Sequence, residues 1–359
     1  MEYFGTESFA YTLISWYDRN RRDLPWRHTR DPYKIWLSEV ILQQTRVAQG
    51  LPYYQSFCEH FPEVSDLASA NEQQILRLWQ GLGYYSRARN LLRCAQRIVD
   101  TYDGKFPEDY QQLLTLPGVG DYTAAAIASF AFGQSVPVVD GNVFRVLSRI
   151  LGLHNDIALS GTKKVFKQYS SRLMNEAPPD RYNQAIMEFG ALQCTPVRPK
   201  CHSCPFSANC HAFQTGNQKL FPVKGNKTKV RNRYFYYYVI KLGQNILLKE
   251  RTGKDIWRGL YDFFLLEPGN EADPLELFAV NLPNVKWIDQ VEVGEPSVTY
   301  RHKLSHQLIS AQFMIIETNN TQVFEHFKQE FELSEFEVSD VHQLPKSILI
   351  DNYLKADIF

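Results

Sequence analysis

The sequence contains no run of eighteen apolar residues, so it offers no segment that could cross a membrane as a helix. Its start holds no basic stretch followed by an apolar one, which is the pattern of a secretory signal. No repeat of the solenoid type is evident. These absences predict a cytoplasmic protein whose thiols stay reduced.

Net charge is also absent, because 39 Lys and Arg residues balance 39 Asp and Glu residues. Over the whole chain this balance argues against nucleic-acid binding, which usually shows a basic excess. The two parts of the chain differ, however. Residues 1–233 hold 28 basic and 20 acidic side chains, a net charge of +8, whereas residues 234–359 hold 11 and 19, a net charge of −8. Such an asymmetry indicates nucleic-acid contact.

The length of 359 residues predicts two domains, or three. A mostly helical domain is expected over 1–214, where apolar residues recur every three or four positions and helices are predicted to start at Pro32, Asn71 and 107–109. Residues 215–233 hold six Lys or Arg residues and no acid, which indicates an exposed basic linker over 215–232.

Beyond the linker the pattern changes to that of strands. An α+β domain is therefore expected over 233–359. Its strands are predicted at 234–242, 245–251 and 298–317, and its helices at 274–281 and 321–331.

Four of the six cysteines fall within 17 residues: Cys194, Cys201, Cys204 and Cys210. The spacing C-x6-C-x2-C-x5-C lets four thiolates surround one metal centre. Four-cysteine zinc sites often use two C-x2-C pairs, and this segment has one such pair. Irregular gaps between thiolates suit an iron–sulfur cluster. The spacing favours a four-iron cluster and leaves zinc, or no metal, as alternatives.

Residues 114–133, LTLPGVGDYTAAAIASFAFG, predict a helix end, a tight turn and a second helix. Gly118 and Gly120, on either side of Val119, permit close backbone approach. The free N–H groups at the start of the second helix suit a phosphate of a nucleic-acid backbone. An ordinary packing corner is the alternative.

Further along, Asp140 in PVVDGNVFRVLSR stands at the N-terminus of another predicted helix, where a helix cap is the usual interpretation.

Taken in order, LPGVG-xx-TA, VDGNV-x-RVL-x-R and the cysteine spacing resemble the endonuclease III branch of the helix-hairpin-helix DNA glycosylases. The resemblance implies one [4Fe-4S] cluster on the four cysteines and a catalytic role for Asp140. It also implies a multidomain protein with a mainly α-helical glycosylase core. That core would comprise a six-helix barrel over about 23–130 with the hairpin at 113–130, and a cluster subdomain formed by the N-terminal helix and residues 131–214.

Two positions indicate which enzymes within this branch the sequence resembles. Tyr122 stands where endonuclease III-like enzymes carry a Lys that attacks the sugar C1′ carbon, and a tyrosine forms no imine. Glu39 in WLSEVILQQT resembles the catalytic Glu of the adenine DNA glycosylases (MutY family), although a surface acid is the alternative. LPWR (24–27), GLGYYSRARN (81–90) and FPVK (221–224) also match that family.

This second resemblance implies a monofunctional adenine DNA glycosylase that acts on adenine opposite 8-oxoguanine or guanine in duplex DNA, by base flipping. The apolar neighbours of Glu39 would raise its pKa and keep a proton available for adenine N7. Asp140 would stabilise the oxocarbenium character of the sugar, with assistance from Tyr122 and Asn142. The rival functions are a bifunctional lyase and a DNA-binding scaffold without catalysis. A monomer is expected.

The resemblance also assigns residues to the two bases. Trp26, Arg27 and Gln184 would form the adenine pocket, and Gln44 and Tyr84 would wedge beside the opposite base. The C-terminal domain resembles a Nudix-like fold whose Phe-Ser-His loop contacts 8-oxoguanine. Here the loop reads Leu304-Ser305-His306, which keeps Ser305 and His306 but replaces the aromatic residue. The metal-binding box of Nudix pyrophosphohydrolases is absent from the sequence, so nucleotide hydrolysis is not expected.

The positive charge of residues 1–233 predicts that affinity for duplex DNA falls steeply with salt. If about six phosphates are neutralised, the association constant should drop about 10³-fold between roughly 50 and 200 mM salt. Fluorescence anisotropy with a labelled duplex measures this slope. An affinity that is unchanged over this range would contradict the charge asymmetry as a cause of binding.

Overall fold

The structure, a computed structural model, describes residues 6–225, 230–281 and 288–358. The chain divides into two compact units. The first comprises Met1–Ser69 and Asn90–Asn226, and the second comprises Ala70–Arg89 and Lys227–Phe359. Part of the predicted linker, residues 226–229, lies outside the described residues. Within the described ranges, no helix is long and apolar enough to span a membrane.

The described chain up to residue 214 is mostly helical, as expected. The helical residues between 70 and 89 belong to the second unit, and the other helices of this region to the first. In chain order they are α1 (Thr6–Asn20), α2 (Pro32–Ile41), α3 (Val47–His60), α4 (Val64–Ser69), α5 (Glu72–Leu78), α6 (Ser86–Tyr102), α7 (Tyr110–Leu113), α8 (Asp121–Phe130), α9 (Gly141–Leu151), α10 (Thr162–Met174), α11 (Pro179–Leu192) and α12 (His211–Gln214), with short 3-10 turns at Pro25–Arg27, Cys201–Ser203, Ser207–Asn209 and Gln218–Leu220.

Side-chain caps explain where several helices begin. Asp31 accepts a hydrogen bond from the Tyr33 N–H at 2.9 Å before Pro32 opens α2. Asn71 caps α5, and Asp109 caps α7. The predicted helix starts at Pro32, Asn71 and 107–109 are therefore confirmed.

The helical pattern does not predict the turn between α5 and α6. There Gly81, Gly83 and Tyr84 have φ values of 93°, 71° and 50°.

Helices α2 and α8 form the centre of the first unit. Alpha8 is buried from Thr123 to Phe130, and four of these eight residues are alanines, so neighbouring helices approach closely. Alpha2 is buried from Ile35 to Ile41. The turn before α8 needs glycine at position 118, where φ is 74° and a Cβ atom would lie 2.6 Å from the Cβ of Asn90. This packing brings the first turn of α8 beside α2.

The second unit contains a mixed sheet. Its strands are β1 (Arg231–Leu242), β2 (Asn245–Glu250), β3 (Tyr261–Asp262), β4 (Phe264–Leu266), β5 (Glu292–Val293), β6 (Tyr300–Lys303), β7 (Gln307–Glu317) and β8 (Ser334–Glu337). Strands β1 and β7 are parallel, paired from Arg231 with Gln307 to Lys241 with Glu317, and the other strand pairs are antiparallel. The sheet path is β3-β2-β1-β7-β5, with β4 on β1, β6 on β7 and β8 on β2.

Helices cover this sheet, and alternate residues of its strands pack against them. They are α13 (Pro274–Asn281), α14 (Thr321–Glu330) and α15 (Ile348–Tyr353). Tyr238 of β1 stacks on Phe278 of α13, and Phe313 of β7 stacks on Tyr353 of α15 with ring centroids 4.0 Å apart. The predicted α+β character of this region and its helices near 274–281 and 321–331 are confirmed.

One buried cation ties several parts of the second unit together. The Arg233 side chain on β1 is 7% exposed and donates to both carboxylate oxygens of Glu267, at 2.7 Å each. It also donates to both oxygens of Asp255, at 2.7 and 3.0 Å, and to the side chain of Gln307 at 3.1 Å. Loss of this guanidinium would remove the ion-pair partner of Glu267 and leave Asp255 with Arg251 alone, at 3.1 Å.

We expect Arg233→Met to destabilise the second unit by about 3 kcal/mol, because a partly buried ion network loses its centre. Hydrogen exchange of the β1 and β7 amides, followed by mass spectrometry, measures this loss locally. Arg231→Met is the matched control, since Arg231 is exposed at the start of the same strand. Equal protection in the two variants would contradict the prediction.

Candidate active site and cysteine cluster

Three elements of the first unit meet at one pocket. Glu39 comes from α2, Tyr122 from the first turn of α8, and Asp140 from the residue that caps α9. Gln44, exposed just after α2 with φ of 57°, lines the same pocket, as do Gly118 and Gly120 of the hairpin. Residues 39, 44, 118, 120, 122 and 140, which the sequence singles out separately, are therefore brought together.

Glu39 is a buried carboxyl group, 7% exposed. The Tyr122 hydroxyl donates to its Oε2 atom at 2.5 Å. Burial raises the pKa of Glu39 to about 7, and the nearby charge of Asp140 adds to this rise. The Tyr122 hydrogen bond and the charge of Arg27 act in the opposite direction. A substantial fraction of Glu39 therefore carries a proton at neutral pH.

Asp140 is both a helix cap and a pocket residue. Its Oδ1 atom accepts from the Val143 N–H at 2.8 Å, and its Oδ2 atom accepts from the Asn142 amide at 2.7 Å. Burial raises the pKa of Asp140, while these hydrogen bonds oppose the rise. The helix-cap interpretation is correct, and it does not compete with a chemical role because the cap fixes the carboxylate in the pocket.

Asn142 is held from its other side by Arg145. The Arg145 guanidinium donates to the Asn142 side-chain oxygen at 2.8 Å, to the Gly190 carbonyl at 2.8 Å and to the Cys194 carbonyl at 2.8 Å. Gly190 is packed so closely that a Cβ atom there would lie 2.6 Å from the Cβ of Asn142. The position of Asn142 therefore depends on α11 and on the start of the cysteine segment.

The three residues assigned to an adenine pocket have defined partners. Trp26 is buried and packs edge-on against Tyr54, with ring centroids 5.0 Å apart. Arg27 lies over the Tyr17 ring at 5.5 Å. The Tyr17 hydroxyl donates to the Gln184 side-chain oxygen at 2.6 Å. Tyr17 therefore contacts both Arg27 and Gln184.

Sequence reasoning missed Glu188, one helical turn after Gln184 on α11. Its side chain is 1% exposed and accepts hydrogen bonds from Arg22 and Arg27. Burial alone would raise the pKa of Glu188, but these hydrogen bonds outweigh it and lower the pKa to about 2. The signal available in the sequence was an acid among the apolar residues of AIMEFGAL.

The hairpin has the geometry of an anion site. Gly120 is the N-cap of α8 and has no side chain that could accept from the first N–H groups of the helix. Val119 is buried and anchors the turn.

A second group of predicted residues lies within the second unit. Ser305 and His306 form the exposed turn between β6 and β7, and the Ser305 hydroxyl is 3.1 Å from His306 Nδ1. Tyr84 is 48% exposed with φ of 50°, and its hydroxyl is 3.5 Å from the Ser305 hydroxyl. Tyr84, Ser305 and His306 are thus neighbours.

All four clustered cysteines line one cavity, whose lining also includes Phe189 and Phe213. Arg149, in the last turn of α9, donates to the Cys194 sulfur at 3.5 Å, and the Cys210 thiol donates to the Arg149 carbonyl at 3.3 Å. Cys58 and Cys94 lie elsewhere, on α3 and α6. Among the described residues, no group of three or more His, Cys, Asp or Glu side chains is arranged around a point for one metal ion.

Comparison with known proteins shows which family the chain belongs to. Residues 37–173 match the family described as HhH-GPD superfamily base excision DNA repair protein. The chain is 32% identical over 309 residues to the adenine DNA glycosylase of Buchnera aphidicola subsp. Acyrthosiphon pisum (strain APS), covering 84% of each chain. It is 44% identical over 230 residues to the adenine DNA glycosylase of Homo sapiens, covering 61% of this chain and 42% of the human protein.

A solved structure described as a thermostable thymine-DNA glycosylase matches with a TM-score of 0.54 and 30% identity, over 58% of this chain and 97% of that one. The helical unit and its pocket thus define a base excision DNA repair protein of the helix-hairpin-helix superfamily. With its extended match to the Buchnera protein, the chain belongs to the adenine DNA glycosylase (MutY) family. It is a DNA N-glycosylase, a hydrolase of base excision repair.

Gly190→Ala should lower the free energy of unfolding by about 1–3 kcal/mol and reduce glycosylase activity, because the new methyl group would displace Asn142. Urea denaturation and single-turnover base release measure the two effects. Gly161→Ala is the control, since a Cβ atom at position 161 meets nothing within 4 Å. A Gly190→Ala variant with the stability and rate of the control would show that the contact is not needed.

Proposed function

We propose that this glycosylase removes adenine paired with 8-oxoguanine or guanine in duplex DNA, without cutting the strand. The observation that carries the proposal is the pair of buried carboxyl groups, Glu39 and Asp140, in one pocket with Tyr122. Two carboxyl groups in different environments suit the transfer of a glycosyl group, one as an acid and the other as an anion.

Glu39 acts as the general acid. It gives its proton to N7 of the flipped adenine, the C1′–N9 bond breaks with its electron pair going to the base, and adenine leaves in neutral form. A pKa of about 7 suits this task, because the proton is both present and transferable at neutral pH. The hydrogen bond from Tyr122 holds the carboxyl group in position.

Asp140 faces the developing positive charge on the sugar. Its carboxylate, held by Val143 and Asn142, stabilises the oxocarbenium ion and then bonds to C1′. Water next displaces the carboxylate at C1′, its proton passing to the Glu39 carboxylate, so that both groups return to their starting forms and the sugar keeps its face. Tyr122 and Asn142 act by orienting Glu39 and Asp140.

Trp26, Arg27 and Gln184 receive the adenine in this proposal. A buried aromatic side chain and two hydrogen-bonding groups on a fixed frame suit a planar base with donors and acceptors along its edge. The hairpin residues Gly118, Val119 and Gly120 bind a backbone phosphate next to the flipped nucleotide.

Recognition of the opposite base is assigned to Gln44, Tyr84, Ser305 and His306. Three of these, Tyr84, Ser305 and His306, share the second unit, where their polar atoms are within 3.5 Å of a neighbour in the group. We assign residues 233–359 to a Nudix-like recognition domain, supported by the mixed sheet with helices packed on it. Leu304 in place of the family's aromatic residue removes a stacking partner, so discrimination depends on hydrogen bonds.

The four cysteines fit a [4Fe-4S] cluster. Their thiols line one cavity with aromatic walls, and four thiolates are the donor set that such clusters use. Cys194, Cys201, Cys204 and Cys210 would hold it, and the bound cluster would link the segment 194–210 at four points. The hydrogen bonds between Arg149 and this segment support the same arrangement.

Glu39→Gln tests the proposal directly. We expect adenine release from an 8-oxoguanine:adenine duplex to fall by about 10²–10⁴-fold, because the proton donor is lost while the side-chain shape is kept. Glu59→Gln, which neutralises an exposed acid on α3, should react like the wild type. Equal release by all three proteins would remove Glu39 from the mechanism.

Borohydride trapping separates the proposal from the lyase alternative. A glycosylase without an imine intermediate gives no covalent protein–DNA adduct, whereas a lysine nucleophile gives one. Release of no adenine from either mispair would contradict the proposed substrate.

A further inference from the structure

The proposed mechanism leaves one buried ion cluster unexplained. Glu188 accepts five hydrogen bonds: from the Arg22 main chain at 2.9 Å, from the Arg22 guanidinium at 2.9 and 2.6 Å, and from the Arg27 guanidinium at 3.0 and 2.8 Å. The Glu188 side chain is 1% exposed and the Arg27 side chain 12% exposed. Two arginines and one glutamate therefore lie close together, at a place where water screens the charges of Glu188 and Arg27 only weakly.

This cluster borders the pocket that holds Glu39. Met187, the residue before Glu188 on α11, contacts the Tyr122 hydroxyl through its sulfur at 3.2 Å, and the same hydroxyl donates to Glu39. Arg27 acts electrostatically on Glu39, in the direction that favours the carboxylate over the protonated acid. An arginine without a counter-charge would therefore oppose the role of Glu39 as a proton donor.

Charged and titratable groups from several elements face Glu39. Asp140 at the start of α9 favours the protonated form, whereas Tyr122 of α8 and Arg27 of the 3-10 turn favour the carboxylate. Lys163 of α10 also lines the pocket, but its ammonium is paired with Asp121 at 2.7 Å. Arg22 and Arg27 share one acid, so the charge of Glu188 is divided between an arginine that acts on Glu39, Arg27, and a second arginine beside it.

We propose that Glu188 is a positioning residue that offsets the charge of Arg22 and Arg27 and thereby keeps the proton on Glu39. This inference rests on the proposed function of Glu39 as the general acid. Glu188 touches neither base nor sugar in this scheme. It orients Arg27 through two hydrogen bonds, so that the guanidinium remains available to the adenine without drawing the proton from Glu39.

The pH dependence of base release tests this charge role. In single-turnover assays the wild-type rate should fall as pH rises through about 7, because Glu39 loses its proton. This fall is the alkaline limb of the pH–rate profile. Glu188→Gln removes a negative charge, which favours the Glu39 carboxylate, so the limb should move to lower pH by about half a unit or more. Arg22→Gln removes a positive charge, and the limb should move to higher pH. Glu188→Asp keeps the charge, and its limb should stay near that of the wild type.

Glu176→Gln is the control, since it neutralises an exposed acid in the same unit and should leave the limb in place. A loss of activity in Glu188→Gln without movement of the limb would show a purely structural role and overturn the inference. If Glu188→Gln does not fold, Arg22→Gln decides the matter, because Arg22 is half-buried at the edge of the cluster and a limb that stays in place overturns the inference.

Failure of the proposed function gives a different result. If Glu39→Gln keeps the wild-type rate and limb, Glu39 is not the acid, and the inference about Glu188 fails with it. If Glu39→Gln abolishes release while Glu188→Gln and Arg22→Gln both keep the wild-type limb, the proposed function stands and the inference about Glu188 alone is wrong.

Discussion

Burial of a carboxyl group without a full counter-charge is the constraint on which this structure depends. Removing Glu39 from water favours its protonated form, and a neutral carboxyl in a folded core must still be hydrogen-bonded. The packing of α2 against the alanine-rich face of α8 meets both needs, because it buries most of Glu39 and brings the Tyr122 hydroxyl to the carboxyl oxygen. The same contact between two helices thus raises the pKa of Glu39 and holds its carboxyl group in place.

The second carboxyl group is stabilised by different means. Asp140 is tied to the start of α9 by a main-chain and a side-chain hydrogen bond, which favour its charged form against the effect of burial. Two acids of similar chemistry are therefore treated differently by their surroundings, one by an apolar helix pair and the other by a helix terminus. The different environments of the two carboxyl groups follow from local geometry.

Much of this arrangement was predictable, because it is local in sequence. The helix starts follow from short capping motifs, and the hairpin follows from its glycines. Glu39, Tyr122 and Asp140 stand within recognisable motifs, and the structure brings them together, although their chemical roles stay predictions. Glu188 was not predictable in the same way, since its partner Arg22 lies 166 residues away and no motif joins them. The turn at residues 79–85 was missed because its apolar residues continue the helical spacing while its backbone leaves the helix.

Helix α9 gives the pocket a fixed geometric relation to the cysteine segment. Asp140 precedes its first residue, and Arg149, nine positions later, contacts the cysteines from the last turn. Nine residues of an α-helix correspond to about 13 Å along its axis, because the rise per residue is nearly constant. The helix therefore links the position of the cysteine segment to that of the carboxylate. One inserted residue within α9 would rotate the two ends relative to each other by about 100°, so the number of residues in this helix sets how the carboxylate is oriented relative to the cysteine segment.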